Sequence, residues 1–301
     1  MSSAVTASGL AKRFGRVAAV DGVDLDVRER QLFGIVGPDG AGKTTLLRLL
    51  VGVLGPDAGE IRIAGKDPGK ERAETRLLLG YMSQQFSLYE DLSVKENIRF
   101  FAQLRGVSAA DRDTRSARIL EATGLAPFVD RHAGKLSGGM KQKLGLTCTL
   151  VHEPKVLFLD EPTNGVDPVS RREFWAILGE LRERITVVVT TPSLDEAERC
   201  DTVALMTGGK ILRVGSPDEL RAEVVRPVWE VQVPDPFHVS EIVEKALPEA
   251  SVELFGDVLH VVHDIEEREL GAFFAERGLD AKIVRRPPSL EDAYVQLVSA
   301  P

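Results

Sequence analysis

Residues 31–54 read QLFGIVGPDGAGKTTLLRLLVGVL, which is an apolar run, a glycine-rich loop and a second apolar run in direct succession. The loop, from Gly37 to Thr44, fits the pattern G-x-x-x-x-G-K-[ST], and the flanking runs predict a strand before it and a helix after it. The backbone N–H groups of such a loop and the dipole of the following helix both favour phosphate oxygens. This context disfavours a chance glycine-rich turn, so the stretch predicts a nucleotide-phosphate site in an α/β fold.

The same loop predicts individual contacts with a bound triphosphate. Lys43 is expected to contact the β- and γ-phosphates, and the Thr44 hydroxyl group is expected to bind Mg²⁺. The small residues around them let the backbone approach the phosphates closely. The predicted nucleotide-binding residues of the loop are Gly37, Pro38, Asp39, Gly40, Ala41, Gly42, Lys43, Thr44 and Thr45.

A second apolar run, KVLFLDEP at residues 155–162, ends in the paired carboxylates Asp160 and Glu161. Ligands of open α/β sheets bind at the carboxyl ends of the strands. Asp160 is therefore expected to hold Mg²⁺, directly or through water, and Glu161 to polarise the attacking water as a general base. On its own the pair would be two solvated acids in a turn; after a phosphate loop, it favours a catalytic site.

The composition of the chain is that of a soluble globular protein. Of its 301 residues, 43% are hydrophobic and 28% are charged, and the formal net charge is -8. An acidic balance disfavours non-specific binding to nucleic acid, which needs a basic footprint. The first residues lack the pattern of a secretory signal, and no apolar run approaches the length that crosses a bilayer. We therefore expect any membrane role to depend on a partner that spans the membrane.

The hydrophobic pattern divides the chain into two domains. Residues 1–225 alternate strand-like and helical stretches, which predicts an α/β nucleotide-binding domain with an inserted helical subdomain at about 86–150. Residues 226–301 follow the order β-α-β-β-α-β, which predicts a small ferredoxin-like α+β accessory domain without a chemical motif. We interpret this second domain as a packing or dimer-stabilising module. The predicted strands of the first domain include Gln31–Val36, Lys155–Asp160, Ile185–Thr190, Thr202–Met206 and Lys210–Val214.

The two motifs above are shared by many nucleotidases, whereas a third motif is found in fewer protein families. Residues 136–140 read LSGGM, and this segment resembles the signature motif of ABC-transporter ATPases, with Met140 where glutamine is commonest. The Ser137 hydroxyl and the N–H groups of Gly138 and Gly139 would present donors to an anion at a helix start. The resemblance implies that this anion is the γ-phosphate of ATP held by a second subunit. Local sequence alone leaves a serine-capped helix open; the position of the motif before the Asp-Glu pair favours the family.

The resemblance covers residues from about 4 to 220 and implies a P-loop NTPase with a RecA-like core, an antiparallel β subdomain and an inserted helical subdomain. It implies that Phe14 stacks on adenine and that Asp167 crosses the dimer interface. It also implies that Gln84 touches Mg²⁺ and the attacking water, with Gln85 as a possible rival. The implied catalytic residues are Glu161, Gln84 and Lys43, and the implied metal ligands are Thr44, Gln84 and Asp160.

Several longer stretches narrow the resemblance further. YMSQ-FSLYEDLSV, HEPK-LFLDEP and GVDP-SRREFW are similar to ATPase subunits of ABC-2-type exporters of the multidrug and daunorubicin-like group, most of all to the first half of fused ATPases. This implies an ATPase that uses ATP and Mg²⁺ and is coupled to transport. Its implied partners are an ABC-2-type integral membrane permease and a second ATPase subunit, with a heterodimer favoured over a homodimer. The chain is expected to be cytoplasmic and to bind the inner face of the cell membrane through the permease. A cytosolic ABC protein acting on ribosomes or DNA is disfavoured by the acidic charge.

One position departs from the family pattern. The strand after the Asp-Glu pair is expected to end in a histidine that donates to the γ-phosphate, but the sequence reads TTPSLDEAERC, with Pro192 at that position. Proline has neither a side-chain donor nor a backbone N–H. Ser193 carries a hydroxyl group, but one residue further along an extended segment it is expected to point the other way. The chain is therefore expected to bind ATP at a slow site; the alternative is a regulatory subunit that binds ATP without hydrolysing it.

Overall fold

The computed structural model describes residues 2–85 and 88–299 of the chain. It divides into two compact units, Met1–Val214 and Gly215–Pro301. The division lies before the short helix Pro217–Ala222, whereas the boundary expected from the sequence, 225/226, lies after it. Each unit has its own hydrophobic core.

The first unit contains one six-stranded sheet and one three-stranded sheet. The six-stranded sheet has the order β5-β6-β7-β3-β8-β9, and the pairs from β5 to β8 are parallel. Its strands β3, β6 and β7 are buried along their whole length, as expected of strands covered on both faces. The strands of the unit are β1 (Ser3–Phe14), β2 (Val17–Arg28), β3 (Leu32–Val36), β4 (Ala58–Ile63), β5 (Leu79–Met82), β6 (Val156–Asp160), β7 (Thr186–Thr191), β8 (Thr202–Thr207) and β9 (Lys210–Gly215).

The antiparallel sheet has the order β2-β1-β4 and packs its apolar residues into the same core as the six-stranded sheet. The helices of the unit are α1 (Lys43–Leu50), α2 (Arg72–Leu78), α3 (Val94–Leu104), α4 (Ala109–Ala122), α5 (Gly138–Leu150), α6 (Pro168–Leu181) and α7 (Leu194–Ala197). Helices α3, α4 and α5 share a separate cluster of buried residues. The structure thus confirms the predicted core, antiparallel β subdomain and helical subdomain; residues 86 and 87, at the start of the last, lie outside the described part.

Helix α3 shows how the sequence begins a helix of this subdomain. The Ser93 side chain accepts from the backbone N–H of Glu96, and the Glu96 carboxylate accepts in return from the backbone N–H of Ser93. This reciprocal capping box satisfies two donors that the first helical turn leaves free. In the described part of the chain, no helix is both long enough and apolar enough to cross a membrane.

The second unit has the strand and helix order that the sequence predicts. Its antiparallel sheet runs β11-β12-β10-β13, and α9 and α10 pack on the face that carries Trp229, Val231, Leu259 and Val261. This confirms the ferredoxin-like α+β fold. The elements are α8 (Pro217–Ala222), β10 (Val228–Gln232), α9 (Pro236–Ala246), β11 (Ser251–Phe255), β12 (Val258–Val262), α10 (Glu267–Ala275), β13 (Lys282–Arg286) and α11 (Leu290–Ser299).

The second unit also holds a cluster of charged side chains. The Arg286 guanidinium donates to both carboxylate oxygens of Asp292, at 2.9 and 2.8 Å, and lies 2.9 Å from His260 Nδ1. Glu253 lies opposite His260 in the β11–β12 pair. Burial raises the pKa of Glu253 to about 7, and the negative charges of Glu291 and Asp292 add to the effect, while Arg286 opposes it.

Replacing Glu253 with glutamine should stabilise the second unit at pH 8 by about 1–2 kcal/mol, a value discounted for partial exposure, and should change nothing at pH 4. The folded state holds the Glu253 proton more tightly than the unfolded state, so the free energy of unfolding falls as the pH rises from about 4.5 through about 7. The measurement is hydrogen exchange of the β11 and β12 amides at several pH values. Glu276→Gln, at an exposed position, is the matched control. An equal pH dependence in the wild type and Glu253→Gln would contradict the prediction.

A candidate nucleotide-binding site

The glycine-rich loop runs from β3 to α1 and packs closely against the backbones of β8 and β2. A Cβ atom at Gly37 would lie 2.0 Å from the carbonyl oxygen of Met206 in β8. A Cβ atom at Gly42, where φ is +105°, would lie 2.1 Å from the carbonyl oxygen of Ala19 in β2. No side chain fits at either place, so glycine is required by close backbone approach. The loop therefore presents backbone N–H groups at the start of α1.

Lys43, the first residue of α1, points back over this loop. Its Nζ donates to the carbonyl oxygens of Gly37 and Pro38, at 2.8 and 3.0 Å, and lies 3.2 Å from Glu161 Oε1. The Lys43 side chain is only 3% exposed. Three acceptors thus fix the ammonium group at the centre of the loop, where it can meet a phosphate group.

Asp160, at the carboxyl end of β6, forms the second part of the site. Its Oδ1 accepts from the hydroxyl groups of Thr44 and Thr190, at 2.9 and 2.8 Å. Its Oδ2 is buried and has no hydrogen-bond partner among the described residues. A buried carboxylate oxygen without a partner is costly unless a cation satisfies it. The Asp160 carboxylate and the Thr44 hydroxyl group fit Mg²⁺, which prefers one or two protein oxygens together with water and substrate phosphates.

Glu161 follows Asp160 and is held by amide groups. Its Oε2 accepts from Gln84 Nε2 at 2.9 Å and from Asn164 Nδ2 at 3.3 Å. Its φ of +46° is in the left-handed region, and its backbone N–H donates to the Thr190 hydroxyl at 3.0 Å. Gln84 rather than Gln85 is therefore the glutamine that the structure brings to the carboxylate. Sequence reasoning missed Asn164, although its place three residues after Glu161, in the turn that follows β6, was a usable signal.

The predicted signature segment lies at a different helix start. Ser137 caps α5, and its hydroxyl oxygen accepts from the backbone N–H of Met140 at 3.3 Å. Ser137 and Gly138 are exposed, whereas a Cβ atom at Gly139 would lie 2.3 Å from the Ser170 Cβ atom in α6. In the described part of the chain, no hydrogen bond joins this segment to the phosphate loop. Ser137 and Gly138 are therefore exposed at a helix start that is separate from the phosphate loop.

Asp167 and Phe14 also lie apart from the phosphate loop. Asp167 is exposed and caps α6 by accepting from the backbone N–H groups of Val169 and Ser170. The hydrogen bond from the Ser170 backbone is the main reason that the pKa of Asp167 lies below its ordinary value. Phe14 ends β1 with its side chain 50% exposed and Lys12 Nζ 5.9 Å from the ring centroid. Of the predicted site residues, the structure thus brings Lys43, Thr44, Gln84, Asp160 and Glu161 into one connected set.

Comparison with known proteins identifies the family. A family model described as ABC transporter matches residues 20–164. The chain is 35% identical over 303 residues to the daunorubicin resistance ATP-binding protein DrrA3 of Streptomyces coeruleorubidus. This alignment covers 98% of this chain and 96% of the relative. The chain belongs to the ABC transporter ATP-binding family. The resemblance stated from the motifs is therefore confirmed.

Two further ABC proteins illustrate the extent of the similarity. The chain is 42% identical over 300 residues to the probable multidrug ABC transporter ATP-binding protein YbhF of Escherichia coli K12. This alignment covers 98% of this chain but 52% of YbhF. The chain thus spans about half the length of that relative. The structure of cbiO1 from Clostridium perfringens, part of the ABC transporter complex cbiONQ, matches with a TM-score of 0.68 at 27% identity and covers 83% of this chain and 97% of cbiO1.

The ABC site has a buried connection that sequence reasoning missed. Glu196, in α7, is 6% exposed, and its Oε1 accepts from the Thr163 hydroxyl at 2.6 Å. Its Oε2 accepts from the hydroxyl of Thr191, the last residue of β7, and Arg171 Nε lies 3.5 Å from Oε1. This carboxylate joins the loop after β6 to the segment after β7. Pro192 follows Thr191 directly and is exposed.

Proposed function

We propose that this chain is the ATP-binding subunit of an ABC exporter and that its nucleotide site closes against a second ATPase subunit. The observation that carries the proposal is the connected set formed by Lys43, Thr44, Asp160 and Glu161 together with an exposed Ser137 helix start. These residues would form one half of a triphosphate site within the chain, and the exposed Ser137 segment would supply the complementary half of a second subunit's site. The names of two relatives, a multidrug transporter protein and a daunorubicin resistance protein, support export.

The chemistry of the proposed site is ATP hydrolysis. Mg²⁺, held by Thr44 and Asp160, would neutralise charge on the phosphates. Lys43 would exchange its contacts with the loop carbonyls for the β- and γ-phosphates. Glu161 would accept a proton from the attacking water, and the Gln84 amide, which already donates to Glu161, would orient that water.

Closure of the pair would follow from shared binding. The Ser137 hydroxyl and the N–H groups of Gly138 and Gly139 would donate to the γ-phosphate bound by the second subunit, and Asp167 would cross the interface beside them. Each nucleotide is then buried by both subunits, so binding favours the closed pair. Hydrolysis removes the bridging phosphate and releases the pair.

Pro192 supports an asymmetric pair. Its position, directly after Thr191, carries no donor towards the γ-phosphate. Loss of one preorganised donor costs about 10²–10³ in rate. The chain would then hold ATP at a slow site and complete the faster site of a partner ATPase, which favours a heterodimer. A regulatory subunit that binds ATP without hydrolysing it is the second candidate, and the same residue favours it.

An exposed aromatic cluster supports docking on a membrane permease of the ABC-2 type. Tyr89 and Phe100 are 48% and 37% exposed, and their rings meet edge to face with centroids 4.6 Å apart. Exposed apolar clusters of this kind mark protein interfaces. Tyr89 lies in the segment 84–92, of which residues 86 and 87 lie outside the described part, and Phe100 lies in α3. Docking would place the chain on the cytoplasmic face of the membrane.

Replacing Glu161 with glutamine should leave ATP binding intact and keep more than half of the transport rate in the reassembled transporter. The carboxamide has the size of the carboxylate, and the slow site contributes little turnover. Transport into vesicles and nucleotide binding by calorimetry are the two measurements, with the exposed Glu183→Gln as the matched control.

The two readouts separate the parts of the proposal. Loss of transport with intact binding would contradict the slow site and show that hydrolysis by this chain is needed. Absence of ATP binding by the wild-type chain would contradict the nucleotide site itself. A symmetric homodimer in the assembled transporter would contradict the asymmetric pair.

A further inference from the structure

A second cationic site lies in the first unit, beyond the carboxyl end of α1. It is a cavity of about 270 Å³ whose lining residues include Val51 and Val53, which follow α1, and Arg72, Arg76 and Arg105. Arg72 and Arg76 belong to α2, and Arg105 caps the carboxyl end of α3. The phosphate loop lies at the opposite end of α1, one helix length of about 12 Å away.

The three arginines that line the cavity have no carboxylate partner among the described residues, and Arg72 and Arg76 are exposed. None of the described residues that line the cavity is acidic. Throughout residues 2–85 and 88–299, none of the three arginines forms an ion pair with a carboxylate. The acids nearest in sequence, Glu71 and Glu74, are both paired with Lys66.

Arg105 is the most buried of the three arginines. Its Nη1 donates to the carbonyl oxygen of Arg76 at 2.7 Å, and its side chain is partly buried. Burial and the neighbouring positive charge of Arg76 both lower the pKa of Arg105. Gathering like charges around a cavity is unfavourable unless an anion binds there, and guanidinium groups bind oxyanions through paired, charge-assisted hydrogen bonds.

Size and charge indicate the class of anion. The volume of about 270 Å³ is slightly below the range of about 300–1,000 Å³ that is typical of pockets for drug-sized ligands, which favours a small ligand. Three positive charges without a counter-charge match a dianion better than a single carboxylate. Val51, Val53 and Leu79 add an apolar wall for a carbon substituent. We propose that this cavity is a second oxyanion site, separate from the nucleotide site, that binds a phosphate monoester, either free or as the headgroup of phosphatidic acid.

The test is an NMR titration of the full chain with inorganic phosphate at constant ionic strength. The backbone amides of Val53, Thr75 and Arg105 report on the cavity, while those of the phosphate loop report separately on the nucleotide site. The expected result is a saturable shift of the cavity amides. Arg105→Gln should raise the half-saturating phosphate concentration about tenfold or more, because a hydrogen bond to a charged group is lost.

Further variants keep the result interpretable. Arg76→Gln, at an exposed position, should weaken phosphate binding as Arg105→Gln does, while Arg172→Gln, an exposed arginine of α6, should not. Cavity shifts that fail to saturate, or that survive both cavity substitutions, would overturn the proposal. Equal binding of acetate would overturn the assignment to phosphate. Each result is independent of ATP binding, so failure here leaves the proposed function in place.

Two further titrations distinguish the sources of the ligand. Vesicles of phosphatidylcholine with phosphatidic acid should sediment the wild-type chain, and not Arg105→Gln, if the ligand is a lipid headgroup. Vesicles with phosphatidylglycerol, whose phosphate is a diester, are the control. If the ligand is a free ester, glycerol 3-phosphate should shift the cavity amides and the vesicles should sediment neither chain. If neither probe binds, the proposal is overturned.

Discussion

A histidine in place of Pro192 should raise the rate of ATP hydrolysis at this chain's own site by about 100-fold. The loss of one preorganised donor to a transition state costs about 10²–10³ in rate, and the imidazole would restore such a donor. Position 192 directly follows the last residue of β7, and its side chain is exposed, so an imidazole has room there. The measurement is the kcat of the chain assembled with its partner subunit, with KM for ATP expected to change little.

Two controls isolate the imidazole in that experiment. Pro192→Ala restores the backbone N–H without a side-chain donor and should leave kcat near the wild-type value. Adding Glu161→Gln to Pro192→His should remove the gain, because the general base is then missing. The explanation fails if alanine raises kcat as much as histidine does. It also fails if the wild-type chain alone already hydrolyses ATP rapidly.

The parts of the fold that the sequence predicted are those set by local patterns. The glycine-rich loop after β3, the buried strands β6 and β7 and the ferredoxin-like order of the second unit all follow from apolar runs and glycine positions. Strand ends differ by about one residue because the end depends on pairing with a neighbour. The strand expected to end at Thr190 extends in the structure to Thr191, which pairs with Val36 of β3.

The parts of the site that the sequence did not predict depend on contacts between distant segments. Glu196 lies within a helical stretch of charged residues, and only the fold brings it to Thr163 and Thr191. The hydrogen bond from Asn164 to Glu161 occurs in a turn where the backbone of Glu161 is left-handed, a conformation that no sequence pattern predicts for a glutamate. The same limit applies to Arg105, which meets α2 only after the helical subdomain has folded.

Replacing Lys43 with methionine should lower the affinity for ATP by 100-fold or more and should also destabilise the first unit by about 3 kcal/mol. Affinity falls because the phosphates lose a charge-assisted donor. Stability falls because the 7% exposed Glu161 carboxylate loses the ammonium group at 3.2 Å, and removing one member of a buried ion pair costs about 3–5 kcal/mol. Methionine keeps the length of the side chain, so a cavity does not explain the loss.

The double variant Lys43→Met with Glu161→Gln separates these two effects. Neutralising Glu161 removes the buried unpaired charge, so most of the lost stability should return, while Gln84 and Asn164 retain a polar group to bond. The affinity for ATP should stay low, because the phosphate donor is still absent. Urea unfolding and calorimetry measure the two quantities. If affinity returned together with stability, Lys43 would act on nucleotide binding only by holding the loop in shape, and its assignment as a phosphate contact would be wrong.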